Sequence, residues 1–266
     1  MIQQIKEVFK LLVTCLIIFF VSCNGNKTTR LKVGEFEMEG KFSNDSIPTG
    51  LVKYYKKNTD NLIATREFNN GILNGESINY YGKKVIQTIN YKDGLELGFK
   101  KNFDSSSGSL INSEFFYYGK SVGPAYEFSQ SGTLLNFDFR NFENETLYSV
   151  EHDSLSNKYV SDAAEKLVNL NVDEAWVNNE KKLRIFFYNI FPPKANVTYR
   201  ICYFDEANNV IDSIKLPIRS EEFFWEQYVD YAKKNQKLAF IVTRYDSTTK
   251  QSQSIVTNIK SIKDSN

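Results

Sequence analysis

Few side chains in this chain of 266 residues have the types and spacing that chemistry needs. Histidine occurs once, as His152, and cysteine three times, as Cys15, Cys23 and Cys202. A triad or a zinc site around His152 needs partners that the chain does not offer at any motif spacing, so it reads as a solvated loop histidine. Ser247-Thr248-Thr249-Lys250 has the Ser-x-x-Lys spacing of an activated serine nucleophile. That motif needs a helix and two companion motifs, and here it falls in turn chemistry with no companions. Asp104-Ser105-Ser106-Ser107-Gly108 begins like a calcium loop, but its twelfth position is Phe115, where a bidentate glutamate is required. Glu222, Glu226 and Asp230 would share a helix face at i, i+4 spacing. A solvated acidic face accounts for them, with no second group for acid–base work. The chain contains no GxGxxG, GxSxG, HExxH or Walker loop. These residues predict a protein that is not an enzyme, with no metal and no cofactor.

The first segment reads as an address. Residues 1–22 carry Lys6 and Lys10, then an apolar run of 11 residues over 11–21. A membrane span needs about 20 apolar residues, so a short run after a basic start reads as a signal peptide. It ends Phe20-Val21-Ser22-Cys23, which resembles a bacterial lipoprotein signal. That resemblance implies cleavage after Ser22 and acylation of Cys23, with Phe20 in place of the more usual leucine. The alternative is an ordinary signal peptide or an N-terminal anchor with Cys23 incidental. Residues 23–33 then form a tether. Cys202 is left alone in a strand-like run, as a buried small hydrophobe. Without residues 1–22 the chain holds 31 basic and 31 acidic side chains, and neither half is basic. Nucleic acid, which demands a positive stripe, is disfavoured as a partner, and so is adhesion to anionic lipid through a polybasic patch.

The middle of the chain repeats, and repeats decide architecture before local structure does. Gly50, Gly75, Gly98 and Gly123 are spaced by 25, 23 and 25 residues. Five residues after each stands an aromatic: Tyr55, Tyr80, Phe103 and Phe128. Gly71, Gly94 and Gly119 precede three of these glycines by four residues, and Phe68, Tyr91 and Phe116 precede those by three. Within a unit, Ile78 and Tyr80 alternate with Ser77 and Asn79 at the period of a half-buried strand. Each unit therefore reads as two strands and a turn. Stacked hairpins share a core that one hairpin lacks, and the aromatics are expected to form a ladder across neighbouring hairpins. The pattern resembles the bacterial variant of the MORN repeat (membrane occupation and recognition nexus), over residues 34–150. Ser46 and Phe142 depart from it at the two ends, as terminal caps do.

Residues 151–168 are polar and read as a linker. Beyond them lie strand-like runs over 172–177, 183–190, 197–204, 210–216, 238–245 and 252–259, with turn chemistry between them. Short strands at this spacing predict a β-sandwich over 169–262, similar in pattern and length to fibronectin type III and immunoglobulin-like modules. Residues 221–234 fit either a helix face or an edge strand. The expected fold is all-β: an elongated antiparallel meander of hairpins followed by a β-sandwich.

Asp-Ser followed by Ile, Leu or Thr occurs four times, placing Ser46, Ser154, Ser213 and Ser247 in a triplet that resembles the O-glycosylation sequon of some exported bacterial proteins. Asp-Ser also suits turns. Taken together, these features predict a non-catalytic protein of the cell envelope, lipid-anchored to a membrane. The repeat would serve as a scaffold or docking surface for protein or envelope-polymer partners. The alternative is a glycan-binding surface lipoprotein that stacks sugars on exposed aromatics.

Overall fold

The computed structural model describes residues 28–43, 46–153, 158–216, 222–231, 236–247 and 249–259. Thirteen strands make one continuous sheet, each antiparallel to the next. They are β1 (Thr29–Val33), β2 (Phe36–Phe42), β3 (Pro48–Lys56), β4 (Leu62–Asn69), β5 (Ile72–Tyr81), β6 (Lys84–Lys92), β7 (Leu95–Glu96), β8 (Gly98–Phe103), β9 (Leu110–Tyr117), β10 (Lys120–Phe128), β11 (Leu134–Arg140), β12 (Thr146–Asp153) and β13 (Lys158–Ser161). The short β7 pairs with β6 beside the main path. Seven further strands form two sheets: β14 (Leu170–Val177), β15 (Glu180–Tyr188), β16 (Ala195–Phe204), β17 (Val210–Lys215), β18 (Phe224–Val229), β19 (Lys237–Asp246) and β20 (Ser252–Ile259). Their orders are β14-β15-β18 and β17-β16-β19-β20. The chain is an all-β meander followed by a sandwich.

The sheet is wider than the repeat frame suggests. It starts at Thr29, inside the expected tether, and runs to Ser161. The stretch 151–168, expected to be a linker, instead supplies the end of β12, all of β13 and a 3-10 turn at Ala164–Leu167. His152 is therefore a strand residue, half-buried with its ring 5.0 Å from that of Tyr159. Polar strands of this kind read as loop in a sequence because neither face is continuously apolar. Their neighbour, already in the sheet, supplies the hydrogen bonds. Leu167 of the 3-10 turn is fully buried.

The glycine frame has a conformational cause. Gly71, Gly94 and Gly119 close two-residue hairpin turns after Asn70, Asp93 and Tyr118, and in each pair both residues have positive φ, as at Asn70 (47°) and Gly71 (84°). This is the turn whose twist matches right-handed strands. Each of these turn N–H groups donates, at 2.8 Å, to a carbonyl of the preceding unit: Gly71 to Pro48, Gly94 to Leu73 and Gly119 to Glu96. Gly50, Gly75, Gly98 and Gly123 lie within strands, beside breaks of register with the strand before. Directly across from three of them stands an aromatic: Phe68 opposite Gly50, Tyr91 opposite Gly75 and Phe116 opposite Gly98. The ring stands opposite the glycine without filling its side-chain space: a Cβ at Gly50 or Gly98 would meet nothing within 4 Å, and one at Gly75 would meet Glu67.

The expected aromatic ladder is not what holds the units together. Tyr55, Tyr80, Phe103 and Phe128 recur on every second strand, so successive rings are about 10 Å apart. Each instead faces an aliphatic partner across its hairpin: Leu62, Val85, Leu110 and Leu134. Of the frame aromatics among the described residues, only Phe128 takes part in a ring pair, with Tyr126.

In the sandwich, Leu183, Ile185 and Phe187 alternate inward from β15 and meet Val197, Tyr199 and Ile201 of β16 and Leu238, Phe240 and Val242 of β19. The Tyr199 hydroxyl donates to the Ile190 carbonyl at 3.1 Å and accepts from its N–H at 3.0 Å, and burial raises its pKa well above the usual phenol range. Cys202 is buried, and burial pushes its thiol up, against a reactive role. The sandwich core does not stop at the sandwich. Val122, Phe137, Phe139, Tyr148 and Val150 of the long sheet belong to the same apolar cluster.

Candidate functional site

The chemistry suggested by the sequence does not assemble. The run 221–234 holds strand β18 (Phe224–Val229) and no helix among its described residues, so Glu222, Glu226 and Asp230 are spread along β18 and its ends, about 13 Å per interval. Asp230 pairs with Lys182 at 3.2 Å, and Glu226 accepts from the Tyr228 hydroxyl. Ser247 donates its hydroxyl to the Lys194 carbonyl in a turn after β19, far from any helix. Asp104 accepts from Ser106 and Ser107, by hydroxyls and backbone N–H groups, in a compact turn between β8 and β9. Those hydrogen bonds, the Ser106 hydroxyl foremost, hold its carboxyl down at about 2. Among the described residues no group of three or more His, Cys, Asp or Glu side chains could hold a metal ion.

Of the other residues singled out, Cys23 and Ser154 lie outside the described residues. Ser46, Ser213 and Ser247 are exposed, Ser213 on the edge strand β17 and the other two in turns. Among the described residues no helix is long and apolar enough to cross a membrane.

What the structure brings together is an aromatic junction between the long sheet and the sandwich. Its centre is Phe223, just before β18. Its ring lies 4.6 Å from Phe115, 6.1 Å from Phe99 and 6.3 Å from Phe139, all in edge-on geometry. It also lies on Gly123, where a Cβ would come within 3.0 Å of the Phe223 ring. Across from Gly123 the repeat has Arg140 where the earlier units have an aromatic, and the sandwich sets a ring against this glycine. The backbone here is pinned by Asn189, itself fully buried: its N–H donates to the Phe223 carbonyl at 2.9 Å and its amide to the Glu222 carbonyl at 3.1 Å.

Phe224 extends the junction to the other side, 5.1 Å from Tyr117, 5.0 Å from Phe142 and in stacked contact with Phe186. Tyr188 of β15 accepts from the Phe142 N–H at 3.2 Å. Beside these contacts runs a cleft of ≈ 590 Å³ lined by Leu97, Phe115, Tyr117, Phe186, Phe224 and Trp225, with Glu222 and Glu226 in its wall. Apart from these carboxylates the surface offers apolar contact, and no serine, cysteine, histidine or lysine lines it. Sequence reasoning left 221–234 open between helix and strand and missed the role of Phe223, whose one signal was the aromatic absent opposite Gly123. No protein-family model matches the chain, and no curated protein matches its sequence.

Proposed function

We propose that this is a non-catalytic, lipid-anchored protein of the cell envelope whose repeat array is a scaffold or docking surface for protein or envelope-polymer partners. The observation that carries the reading is the continuous 13-strand sheet joined to the sandwich through one apolar core. With 12 strands on its main path and about 4.8 Å per strand step, such a sheet is a span of roughly 50 Å. Over its first strands both faces are open, a form suited to spacing and presentation. The glycine–aromatic pairs and the turn-to-unit hydrogen bonds support the resemblance to variant MORN repeats. The division of seven strands into sheets of three and four supports the fibronectin type III-like reading of the sandwich.

The anchor rests on the signal ending at Cys23. A single acyl chain holds only marginally, whereas a multiply acylated cysteine anchors firmly. Mass spectrometry of the mature N-terminus is expected to find an acylated Cys23, and Cys23→Ala to release the chain or leave it unprocessed. An unmodified N-terminus elsewhere removes the anchor from the account. Proximity crosslinking in the native envelope tests the docking role. The expected product is a reproducible partner on the sheet or the aromatic cleft; crosslinks confined to random neighbours contradict it.

The glycan alternative in its original form needs a contiguous strip of exposed aromatics. The frame aromatics are half-buried and separated by intervening strands, so that form has little support. A different surface of the same sheet favours a polymer ligand.

A further inference from the structure

The face of the long sheet turned away from the sandwich carries a file of polar side chains in register. Asn79 pairs with Gln87, Gln87 with Asn102, Asn102 with Asn112, Asn112 with Glu127 and Glu127 with Asn136. These six residues occupy six adjacent strands, from β5 to β11 along the main path. Their neighbours Phe115, Tyr126 and Phe137 are of the opposite parity and belong to the core shared with the sandwich, so the file faces outward.

The first four are linked amide to amide in one direction. Asn79 donates to Gln87 at 2.8 Å, Gln87 to Asn102 at 2.8 Å, and Asn102 to Asn112 at 2.6 Å. A primary amide has two donors and two acceptor lone pairs. Each of these contacts uses one of them on each partner, so every amide keeps hydrogen-bonding capacity beyond the ladder. The ladder also locks the side chains in place, so little rotamer entropy remains to be lost on binding. The amides are half-buried and Glu127 is exposed.

From Asn102 onward the file runs along a groove of ≈ 380 Å³ with polar walls. Its cations are already matched: Arg140 pairs with Glu114 at 2.6 Å and Lys100 with Glu96 at 3.2 Å. Three carboxylates, Glu114, Glu127 and Asp138, line it against two cations. A polyanion finds no excess positive charge here, and the walls offer no row of apolar pockets for peptide side chains.

We propose that this file is a binding track for an extended, uncharged polysaccharide lying across the strands. Strand spacing places a fixed polar group about every 4.8 Å, close to the length of one pyranose unit in an extended chain. Hydroxyl groups both donate and accept, as the amides do. The proposal rests on the docking-surface reading and names the polymer class for it.

The test is co-sedimentation of the full chain, solubilised in detergent, with insoluble cellulose, chitin, xylan and mannan, and with coiled amylose as the comparison. Retention by at least one extended polymer and not by amylose is expected, little changed by salt. Asn112→Ala and Glu127→Ala are each expected to weaken it roughly five- to tenfold. Lys101→Ala, on the opposite face, is expected to leave it unchanged. The Glu127 side chain makes no hydrogen bond or ion pair with the described residues, so Glu127→Ala keeps the test valid if Asn112→Ala is less stable. Retention by none of the four extended polymers, salt-sensitive binding to a polyanion instead, or retention unaffected by both variants each overturns the proposal. Specific protein crosslinks in the envelope together with no polysaccharide retention would leave the scaffold standing and remove the track.

Discussion

The two ends of the long sheet are built from one repeat but solve its central problem differently. In the N-terminal units each strand glycine stands opposite a ring of the sheet itself, Phe68, Tyr91 or Phe116 on the next strand. In the last unit Gly123 faces Arg140, and the covering ring is Phe223 from outside the sheet. The early strands bury only small or polar side chains besides Val52 and Ile89, namely Ala64, Thr65, Ser77 and the ion-paired Glu37. The last strands bury Phe137, Phe139 and Tyr148 completely against the sandwich. The lesson is that a repeat array can end by borrowing: its final unit has Arg140 where the others place a ring opposite the glycine, and a second module brings a ring there.

The largest expected effect breaks that borrowed contact. Phe223→Ala removes a buried ring that touches Phe99, Phe115 and Phe139, at a cost of roughly 3–5 kcal/mol. Denaturant unfolding measures it, and a loss below about 1 kcal/mol would mean that Phe223 is peripheral to the junction.

Next come the strand glycines of the earlier units. Gly75 has φ 127°, and a Cβ there would lie 1.9 Å from Oε2 and 2.8 Å from Cβ of Glu67. Gly98 has φ 96° with nothing within 4 Å. Gly75→Val thus combines backbone strain with a clash, and Gly98→Val brings strain alone. About 3 kcal/mol is expected for the first and about 1–2 kcal/mol for the second. Equal losses would show that conformation, not crowding, sets the glycine frame.

The smallest effect is local and depends on pH. Asp104 holds the turn between β8 and β9, and its carboxyl is depressed to about 2. A depressed carboxyl favours the folded turn above its unfolded value near 4, and that contribution is lost as pH falls through about 2. NMR titration is expected to find the Ser106 and Ser107 amides loosening between about pH 4 and 2, with the junction resonances unmoved. A normal Asp104 titration removes the cap.

Much of the fold was legible because its determinants are local. The frame glycines needed positive φ at turns and within strands alike, and Gly75 and Gly123 needed space as well. The sandwich strands announced themselves by alternation: runs expected at 197–204 and 252–259 are β16 (Ala195–Phe204) and β20 (Ser252–Ile259). What stayed hidden depends on neighbours distant in sequence. β13 is polar and is a strand only because β12 lies beside it. Residues 224–229 fitted helix and strand equally, and pairing with β15 decided the matter. Phe223 looked like any aromatic until Gly123, a hundred residues earlier, was seen beneath it. The amide file was present as scattered polar residues, and only register lined it up.

The central claim is that array and sandwich are one cooperative unit, not two modules on a tether. Both tryptophans of the chain, Trp176 and Trp225, lie in the sandwich strands, so their fluorescence reports that half and, through Trp225 in the cleft, its junction with the long sheet. Far-UV circular dichroism reports all 20 strands. Thermal unfolding followed by both signals tests the claim most directly. Superimposable single transitions are predicted for the intact chain, separating into two in Phe223→Ala. A tryptophan transition already displaced from the circular dichroism transition in the unaltered chain would contradict the account.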